Sequence, residues 1–267
     1  MEVDKNGVFI IFFLRQKHID MSHNHKALFS YEGNKDREMG YIHVLLPDLG
    51  DIGVVVEPFG GSFALTRHLH SGHPEVEFIV NDINPDIIEI YNAMKDPVQN
   101  AQVVQELKKL HDGVDQEVFR EAKKTRTVPC MLFCRLYGGF QGLFPLKTKN
   151  IDYENVCKFS HYEDVTFTNK DGYDLVEEHK DNENAFLFLD PPYVGVCNRF
   201  YNSPLHYKLF EMLKDWRSWK CKFMLIIDNN TLTRTFVEHH GLTIAKIVDV
   251  TYKYSKIKAQ HLYVTNY

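Results

Sequence analysis

A run of five apolar residues, Ala185–Leu189, is followed directly by Asp190, Pro191, Pro192 and Tyr193. An uninterrupted apolar run of this length is typical of a strand that is buried on both faces of a parallel sheet. The two prolines end the strand because they have no backbone N–H to donate. The sequence therefore predicts an open α/β sheet with an acid, two prolines and an aromatic ring at its carboxyl edge, where such sheets bind ligands.

This turn has the chemistry to hold a planar base through an exocyclic amine. The carboxylate of Asp190 and the carbonyl of Pro191 are acceptors without competing donors, and Tyr193 offers a ring for stacking. Two acceptors on one amino group would leave the nitrogen lone pair facing an electrophile. We interpret the turn as catalytic; the alternative is a strand that ends in an ordinary proline-rich edge turn.

Two earlier apolar runs, residues 52–56 (IGVVV) and 76–80 (VEFIV), also read as strands, each ending in polar residues. The first leads into residues 57–62 (EPFGGS), where glycines allow the backbone to approach a ligand. The second leads into residues 81–84 (NDIN), so that Asp82 lies at the strand tip. An acid there, one strand–helix–strand unit after a glycine turn, is typical of a ribose-binding residue in a nucleotide or nucleoside cofactor site.

Composition is that of a globular protein, with 44% hydrophobic and 25% charged residues in a chain of 267. The net charge of −5 shows no overall basic footprint for nucleic acid, although a local cleft can still be basic. Five cysteines without a CxxC pair suggest reduced thiols rather than a disulfide framework or a zinc knuckle. We therefore expect a cytoplasmic protein, or one in the compartment that holds its substrate.

The order of the predicted elements suggests a sheet domain that is interrupted once. Residues 1–20 are expected to form a peripheral N-terminal arm, whose apolar segment, residues 8–14, is too short to span a bilayer. Residues 21–97 and 166–267 are assigned to the catalytic domain. Residues 98–165 are assigned to a smaller, mostly helical recognition insert.

Taken together, these motifs resemble the Dam-like α group of DNA adenine-N6 methyltransferases, over most of the chain from residue 31 to residue 267. Residues 31–35 (YEGNK), 57–62, 81–84 and 169–171 (NKD) are similar to the cofactor-binding elements of that family. Residues 140–144 (FQGLF) resemble the segment that leads into its recognition region, and residues 190–193 (DPPY) its catalytic motif. The ending, residues 261–267 (HLYVTNY), is similar to a common family terminus.

The resemblance implies a Rossmann-like sheet that uses S-adenosylmethionine to methylate a flipped adenine in double-stranded DNA. The residues that would be catalytic are Asp190, Pro191, Pro192 and Tyr193. The residues that would bind the cofactor are Tyr31, Lys35, Glu57, Phe59, Gly61, Asp82, Ile83, Asp171 and again Asp190. Restriction–modification is one biological context for such an enzyme.

The chain departs from the family pattern at a few positions. Phe63 stands where many members have the last glycine of the turn, Gln141 replaces an asparagine, and Gly172 and Tyr173 follow Asp171 where Asp-Phe is common. These changes concern cofactor affinity and DNA sequence preference more than the type of reaction.

Alternative functions remain open from the sequence. The same acceptors would serve cytosine N4, adenine in RNA or a protein amide, and a catalytically silent module could retain the fold to bind DNA or a partner. A nicotinamide dehydrogenase is less consistent with the sequence, since GxGxxG is absent. We expect no metal site, because His68, His70 and His73 lack an accompanying set of acids or thiolates. We expect no membrane attachment, and a monomer or weak dimer.

Overall fold

The computed structural model describes residues 26–31, 33–138, 143–145, 149–193, 205–251 and 258–267. Strands within these ranges form one sheet. They are β1 (Val54–Glu57), β2 (Glu77–Asn81), β3 (Thr166–Thr168), β4 (Ala185–Leu189), β5 (Lys222–Asp228), β6 (Thr243–Thr251) and β7 (Lys258–Thr265). The predicted arm, residues 1–20, and residues 140–142 of the predicted recognition element lie outside the described residues.

Helices pack on both faces of this sheet. They are α1 (Met39–Leu45), α2 (Ala64–Leu69), α3 (Pro85–Lys95), α4 (Pro97–Asp112), α5 (Gln116–Thr125), α6 (Val128–Gly138), α7 (Tyr153–Lys158), α8 (Gly172–His179), α9 (Leu205–Leu213) and α10 (Thr231–His239). As the sequence predicts, α3 starts at a proline, and the Asn84 side chain accepts a hydrogen bond from the Asp86 N–H at its N-terminus. In the described ranges no helix is long and apolar enough to cross a membrane.

The order of the strands across the sheet is β3-β2-β1-β4-β5-β7-β6, and β7 runs antiparallel to both of its neighbours. The chain moves outward from β1 through β2 to β3, and then continues from β4 on the other side of β1. This reversal places a topological switch point between β1 and β4, which is where open α/β sheets bind ligands. The α/β, Rossmann-like fold predicted from the sequence is therefore confirmed.

The fully apolar β4 is buried on both faces, as its sequence predicts. Phe186 and Phe188 face a core shared with helices α1 to α6, whereas Leu187 and Leu189 face a core shared with α8, α9 and α10. Alternation along the strand produces this division, because successive side chains point to opposite faces. The second core extends to Leu262 on β7.

Some elements were not predicted. Strands β3 and β6 and helices α1, α8 and α10 were not predicted. Strand β3 has only three residues, and β6 is mostly solvent-exposed and has no continuous apolar run. Within the predicted insert, no individual helix was assigned to the segment that forms α7 and a 3-10 turn at Phe159–Tyr162. The six-residue α7 is too short for a helical period to be detected, and the Asp152 side chain starts it by accepting a hydrogen bond from the Asn155 N–H.

The described part of the region between β2 and β3 consists mostly of helices α3 to α7. Its helices do not have a separate core. Leu107 of α4 and Phe133 of α6 belong to the same buried cluster as Phe186 of the sheet. The boundaries given for the insert and for the catalytic domain remain predictions.

Candidate active site

The polar residues singled out from the sequence converge at the carboxyl edge of the sheet. Glu57 ends β1, Asp82 follows β2, and Asp190 follows β4. Strands β2 and β4 both pair in parallel with β1, so their ends meet at one edge. Asp228, at the end of β5, adds a further carboxylate beside β4.

The proposed catalytic turn is joined to the N-terminal motif by a buried ion pair. Lys35 Nζ lies 2.6 Å from Asp190 Oδ2, and the two side chains are 4% and 19% exposed. The same ammonium donates a hydrogen bond of 2.8 Å to the Gly33 carbonyl and lies 5.3 Å from the centre of the Tyr193 ring. Tyr193 in turn donates its hydroxyl to Asp190 Oδ1 at 3.2 Å. Lys35, Asp190 and Tyr193 thus form one cluster.

Burial and the ion pair act on Asp190 in opposite directions. Removal from water raises the pKa of its carboxyl group above the ordinary value, and the Lys35 ammonium partly offsets this shift. Of the two prolines that follow, Pro191 is buried and Pro192 is half-buried. Neither can donate a backbone hydrogen bond, so the turn presents acceptors rather than donors.

The glycine turn after β1 leaves no room for side chains. Gly61 has φ of +51°, and a Cβ there would lie 2.6 Å from the ring of Tyr31. A Cβ on Gly60 would lie 2.6 Å from the Val80 side chain, and the Gly60 N–H donates to the Asn81 carbonyl. The turn is therefore packed between Tyr31 and the end of β2, with its backbone held in place.

Asp82 fixes this turn through its own carboxylate. It accepts hydrogen bonds from the Gly61 N–H at 3.0 Å, the Asn84 N–H at 2.8 Å and the Tyr31 hydroxyl at 3.3 Å. Burial raises the pKa of Asp82, while these hydrogen bonds oppose the shift. A carboxylate has about four lone-pair sites, so room is left for one further donor such as a hydroxyl. Ile83, the next residue, is half-buried.

Glu57 caps the helix that follows the glycine turn. Its Oε1 accepts a 2.7 Å hydrogen bond from the Thr66 N–H in the first turn of α2, whose N-cap position is occupied by Phe63. A phenylalanine has no oxygen to cap the helix, so the buried glutamate serves instead. Burial raises the pKa of Glu57 to about 7.

Phe63 turns away from the glycine turn into the core. Its backbone is left-handed, with φ of +42°, which explains why a glycine suits this position. The ring lies edge-to-face against Tyr91, Phe159, Tyr162 and Phe167. The substitution therefore adds core packing rather than a side chain in the turn.

Phe59 lies against Gly172, the residue that follows Asp171 at the start of α8. A Cβ on Gly172 would come within 2.6 Å of the Phe59 ring and 2.7 Å of the Pro58 carbonyl, so only glycine permits this approach. Asp171 caps α8 by accepting from the Tyr173 N–H, and its other oxygen lies 2.6 Å from Lys208 Nζ. An aromatic ring beside a half-exposed carboxylate is suited to a flat heterocycle that carries an amine.

Asn81 was not among the predicted site residues, although it lies in the predicted motif. Its fully buried amide donates to the Pro58 and Lys170 carbonyls and accepts from Thr168 Oγ1 and the Lys170 N–H. These four hydrogen bonds join the loops after β1, β2 and β3. The sequence signal for this role was an asparagine at the end of a predicted buried strand, where a side-chain amide needs hydrogen-bond partners.

Two more residues that the sequence did not single out, Glu38 and His261, lie behind Tyr193, with 2.7 Å between Glu38 Oε2 and His261 Nδ1. His261 was quoted only as part of the family-like ending. Over the part of the chain that the structure describes, no group of three or more His, Cys, Asp or Glu side chains is arranged to hold a metal ion.

Comparison with known proteins supports the resemblance drawn from the motifs. Residues 31–152 match the family model of D12 class N6 adenine-specific DNA methyltransferases. The chain is 21% identical, over 223 residues, to the type II methyltransferase M.CviBI of Paramecium bursaria Chlorella virus NC1A. That alignment covers 75% of this chain and 82% of the viral protein. The predicted relationship is confirmed.

Solved structures give a weaker likeness. The chain aligns with the rRNA methyltransferase AviRa of Streptomyces viridochromogenes at 10% identity and a TM-score of 0.41, over 85% of this chain and 81% of AviRa. It aligns with TrmN of Thermus thermophilus at 10% identity and a TM-score of 0.35, over 80% of this chain but only 44% of TrmN. Both scores are below 0.5, so the fold assignment rests on the strand order of this chain.

Proposed function

We propose that the chain, whose residues 31–152 match the D12 class of N6 adenine-specific DNA methyltransferases, methylates adenine through the turn Asp190, Pro191, Pro192 and Tyr193 with S-adenosylmethionine as methyl donor. The match to this class and the similarity to a viral methyltransferase support an enzyme that methylates adenine in DNA.

The observation that carries the proposal is the acceptor cluster at the switch point. Asp190 lies at the carboxyl edge between β1 and β5, held by Lys35, with Tyr193 beside it. The next two residues, Pro191 and Pro192, have no backbone N–H, so the Asp190 carboxylate and the Pro191 carbonyl can accept hydrogen bonds from an amine. A target adenine must leave the duplex to reach such a recessed site.

The residues around the glycine turn fit S-adenosylmethionine. We assign the ribose hydroxyls to Asp82, which has one lone-pair site to spare, and the adenine ring to Phe59 and Asp171. The methionine end is assigned to Lys35, beside Asp190, and to Tyr31, whose ring packs against Gly61. Glu57 and Ile83 complete the predicted set, Glu57 by fixing the start of α2.

When bound, this cofactor supplies a methyl group on a positively charged sulfur, which is a strong electrophile. The chain has to supply position and acceptors. Asp190 and the Pro191 carbonyl would accept the two N6 hydrogens of the flipped adenine, while Tyr193 stacks on its face. The N6 lone pair would form the new N–C bond as the S–CH3 bond breaks and S-adenosylhomocysteine leaves, and the acceptors would stabilise the positive charge that develops on N6.

A strong general base is not required by this scheme. The N6 proton becomes acidic only after the N–C bond has formed, and it then passes to the Asp190 carboxylate or to water. Lys35 keeps the carboxylate oriented and partly offsets the rise of its pKa on burial.

The name of the viral relative suggests a biological setting. M.CviBI is a type II methyltransferase. We propose that the present chain likewise marks one short DNA sequence, as the modification half of a restriction–modification pair. Restriction of a methylated and an unmethylated copy of the same plasmid would test this role.

The direct test is a transfer assay with labelled S-adenosylmethionine on unmethylated duplex DNA and on RNA, followed by nucleoside analysis. N6-methyladenine in the DNA alone is the expected product. N4-methylcytosine, or label in RNA only, would contradict the proposed substrate. Calorimetry with S-adenosylmethionine should show binding, and absence of both binding and transfer would favour a catalytically silent module.

A further inference from the structure

A buried polar group lies directly behind the proposed catalytic turn. His261 and Tyr263 are two residues apart on β7 and point to the same face of the sheet, where they meet Glu38, just before α1. Their exposed fractions are 2% for His261, 0% for Tyr263 and 8% for Glu38. Because β7 is antiparallel, its early residues reach the carboxyl edge, and His261 pairs with Asp228 there.

One carboxylate oxygen joins the three side chains. Glu38 Oε2 lies 2.7 Å from His261 Nδ1 and accepts a 2.6 Å hydrogen bond from the Tyr263 hydroxyl. Burial by itself would raise the pKa of Glu38, but the hydrogen bond with His261 and the nearby Lys35 ammonium lower it overall. A buried carboxylate with these partners is held in one geometry.

This group contacts the catalytic turn at Tyr193 and is linked to it a second time through Lys35. The His261 ring lies edge-to-face against the Tyr193 ring, with 4.9 Å between their centres. The Glu38 N–H donates a 2.8 Å hydrogen bond to the Lys35 carbonyl, and Lys35 forms the ion pair with Asp190. Glu38 is thus linked to Tyr193 through His261, and to Asp190 through Lys35.

We propose that Glu38 and His261 are positioning residues, which hold the Tyr193 ring in the geometry needed to receive the flipped base. The inference rests on the proposed function and goes beyond the residues of its motifs. The reason is geometric. The Tyr193 side chain can rotate about two torsion angles, and the edge-to-face contact with His261, which Glu38 holds in place, restricts that rotation.

A purely structural role makes a different prediction. If the group only stabilised the fold, its loss would lower the melting temperature and would act on the rate independently of Tyr193. If it acts through Tyr193, its loss should have no further effect once Tyr193 is gone. A double-mutant cycle on the rate separates the two cases.

The variants are His261→Gln, Tyr193→Ala, the corresponding double variant, and Tyr263→Phe, which removes one hydroxyl and keeps the packing. His73→Gln is the matched control, since His73 also faces a glutamate, Glu75 at 3.4 Å, but lies before β2 at the opposite edge of the sheet. Each is assayed for the single-turnover rate of methyl transfer to unmethylated duplex DNA, for S-adenosylmethionine affinity by calorimetry, and for melting temperature.

The expected result is a loss of roughly tenfold or more in rate for His261→Gln, with cofactor affinity within about twofold. Tyr193→Ala should lose rate as well, and the double variant should match Tyr193→Ala. Tyr263→Phe should lose roughly fivefold, the rate equivalent of one hydrogen bond worth about 1 kcal/mol. His73→Gln should keep the wild-type rate.

Three results would overturn the inference in different ways. If both single variants are impaired and their losses multiply in the double variant, Glu38 and His261 do not act through Tyr193, and the proposed function is unaffected. If Tyr263→Phe and His261→Gln both keep the wild-type rate, the positioning role is refuted outright. A wild-type rate in Tyr193→Ala would instead refute the role given to Tyr193 in the proposed function, and the inference with it.

Discussion

The ammonium of Lys35 lies 2.6 Å from the carboxylate of Asp190, and both side chains are largely withdrawn from solvent. Lys35 belongs to the motif that precedes β1, whereas Asp190 belongs to the turn that follows β4. Their pairing makes the N-terminal motif and the catalytic turn a single unit. A change at either residue should therefore affect both cofactor binding and methyl transfer.

Replacement of Lys35 by methionine should destabilise the protein by about 3 kcal/mol, because it leaves the Asp190 carboxylate partly buried without its cation. It should also lower S-adenosylmethionine affinity at least about tenfold. Urea unfolding and calorimetry measure the two effects. Lys26→Met is the control, since Lys26 is 70% exposed and its contact with Asp152 is 3.4 Å long, so less than about 1 kcal/mol is expected. Equal effects for the two lysines would contradict the account.

Gly61→Ala should weaken cofactor binding at least about tenfold and cost roughly 1–3 kcal/mol of stability. The left-handed φ of +51° disfavours any side chain, and the new Cβ would lie 2.6 Å from the Tyr31 ring. Calorimetry and thermal unfolding report the change. Gly72→Ala serves as the comparison, because no atom lies within 4 Å of a Cβ there. Unchanged affinity in Gly61→Ala would show that the turn does not form the cofactor site.

Glu57→Gln should remove a pH dependence of folding. The folded-state pKa of Glu57 is raised from 4.5 to about 7, so between these values the native state holds a proton that the unfolded state has lost. Its contribution to stability is therefore greatest below pH 4.5 and declines as pH rises to 7, by roughly 3 kcal/mol. The glutamine oxygen can still accept from the Thr66 N–H.

The measurement is the free energy of unfolding for both proteins at pH 5 and pH 8. Relative to wild type, Glu57→Gln should gain roughly 2–3 kcal/mol on going to the higher pH. Glu183→Gln removes an exposed carboxylate and should show no comparable change. A constant difference between wild type and Glu57→Gln across this range would show that Glu57 is ionised throughout.

The sequence predicted the central strands and the site edge well, for a physical reason. Strands β1, β2, β4 and β5 are continuous apolar runs that end in polar residues, so their positions and the convergence of Glu57, Asp82 and Asp190 could be read directly. Asp228 follows the same pattern at the end of β5, and the pairing of β5 with β4 brings it to the edge that carries Asp190.

Contacts between distant segments could not be predicted in the same way. The link between Glu38 and His261 joins residues at the two ends of the chain, and neither belongs to a pattern that indicates a partner. The direction of a side chain is also hard to predict from sequence. The sequence shows that Phe63 replaces the family glycine, but only the left-handed backbone and the ring contacts show that its side chain enters the core.

The central claim, that Asp190 orients the reacting amine, is tested most directly by Asp190→Asn. The amide has nearly the shape of the carboxylate and keeps an oxygen for Lys35, but loses the charge and one acceptor. The measurement is the single-turnover formation of N6-methyladenine in unmethylated duplex DNA, with cofactor binding followed by calorimetry. Asp51→Asn, whose side chain is 81% exposed before β1, is the control.

The account predicts a rate at least about 10²-fold below wild type for Asp190→Asn, with S-adenosylmethionine binding still measurable and Asp51→Asn unchanged. Formation of N6-methyladenine at the wild-type rate by Asp190→Asn would contradict it.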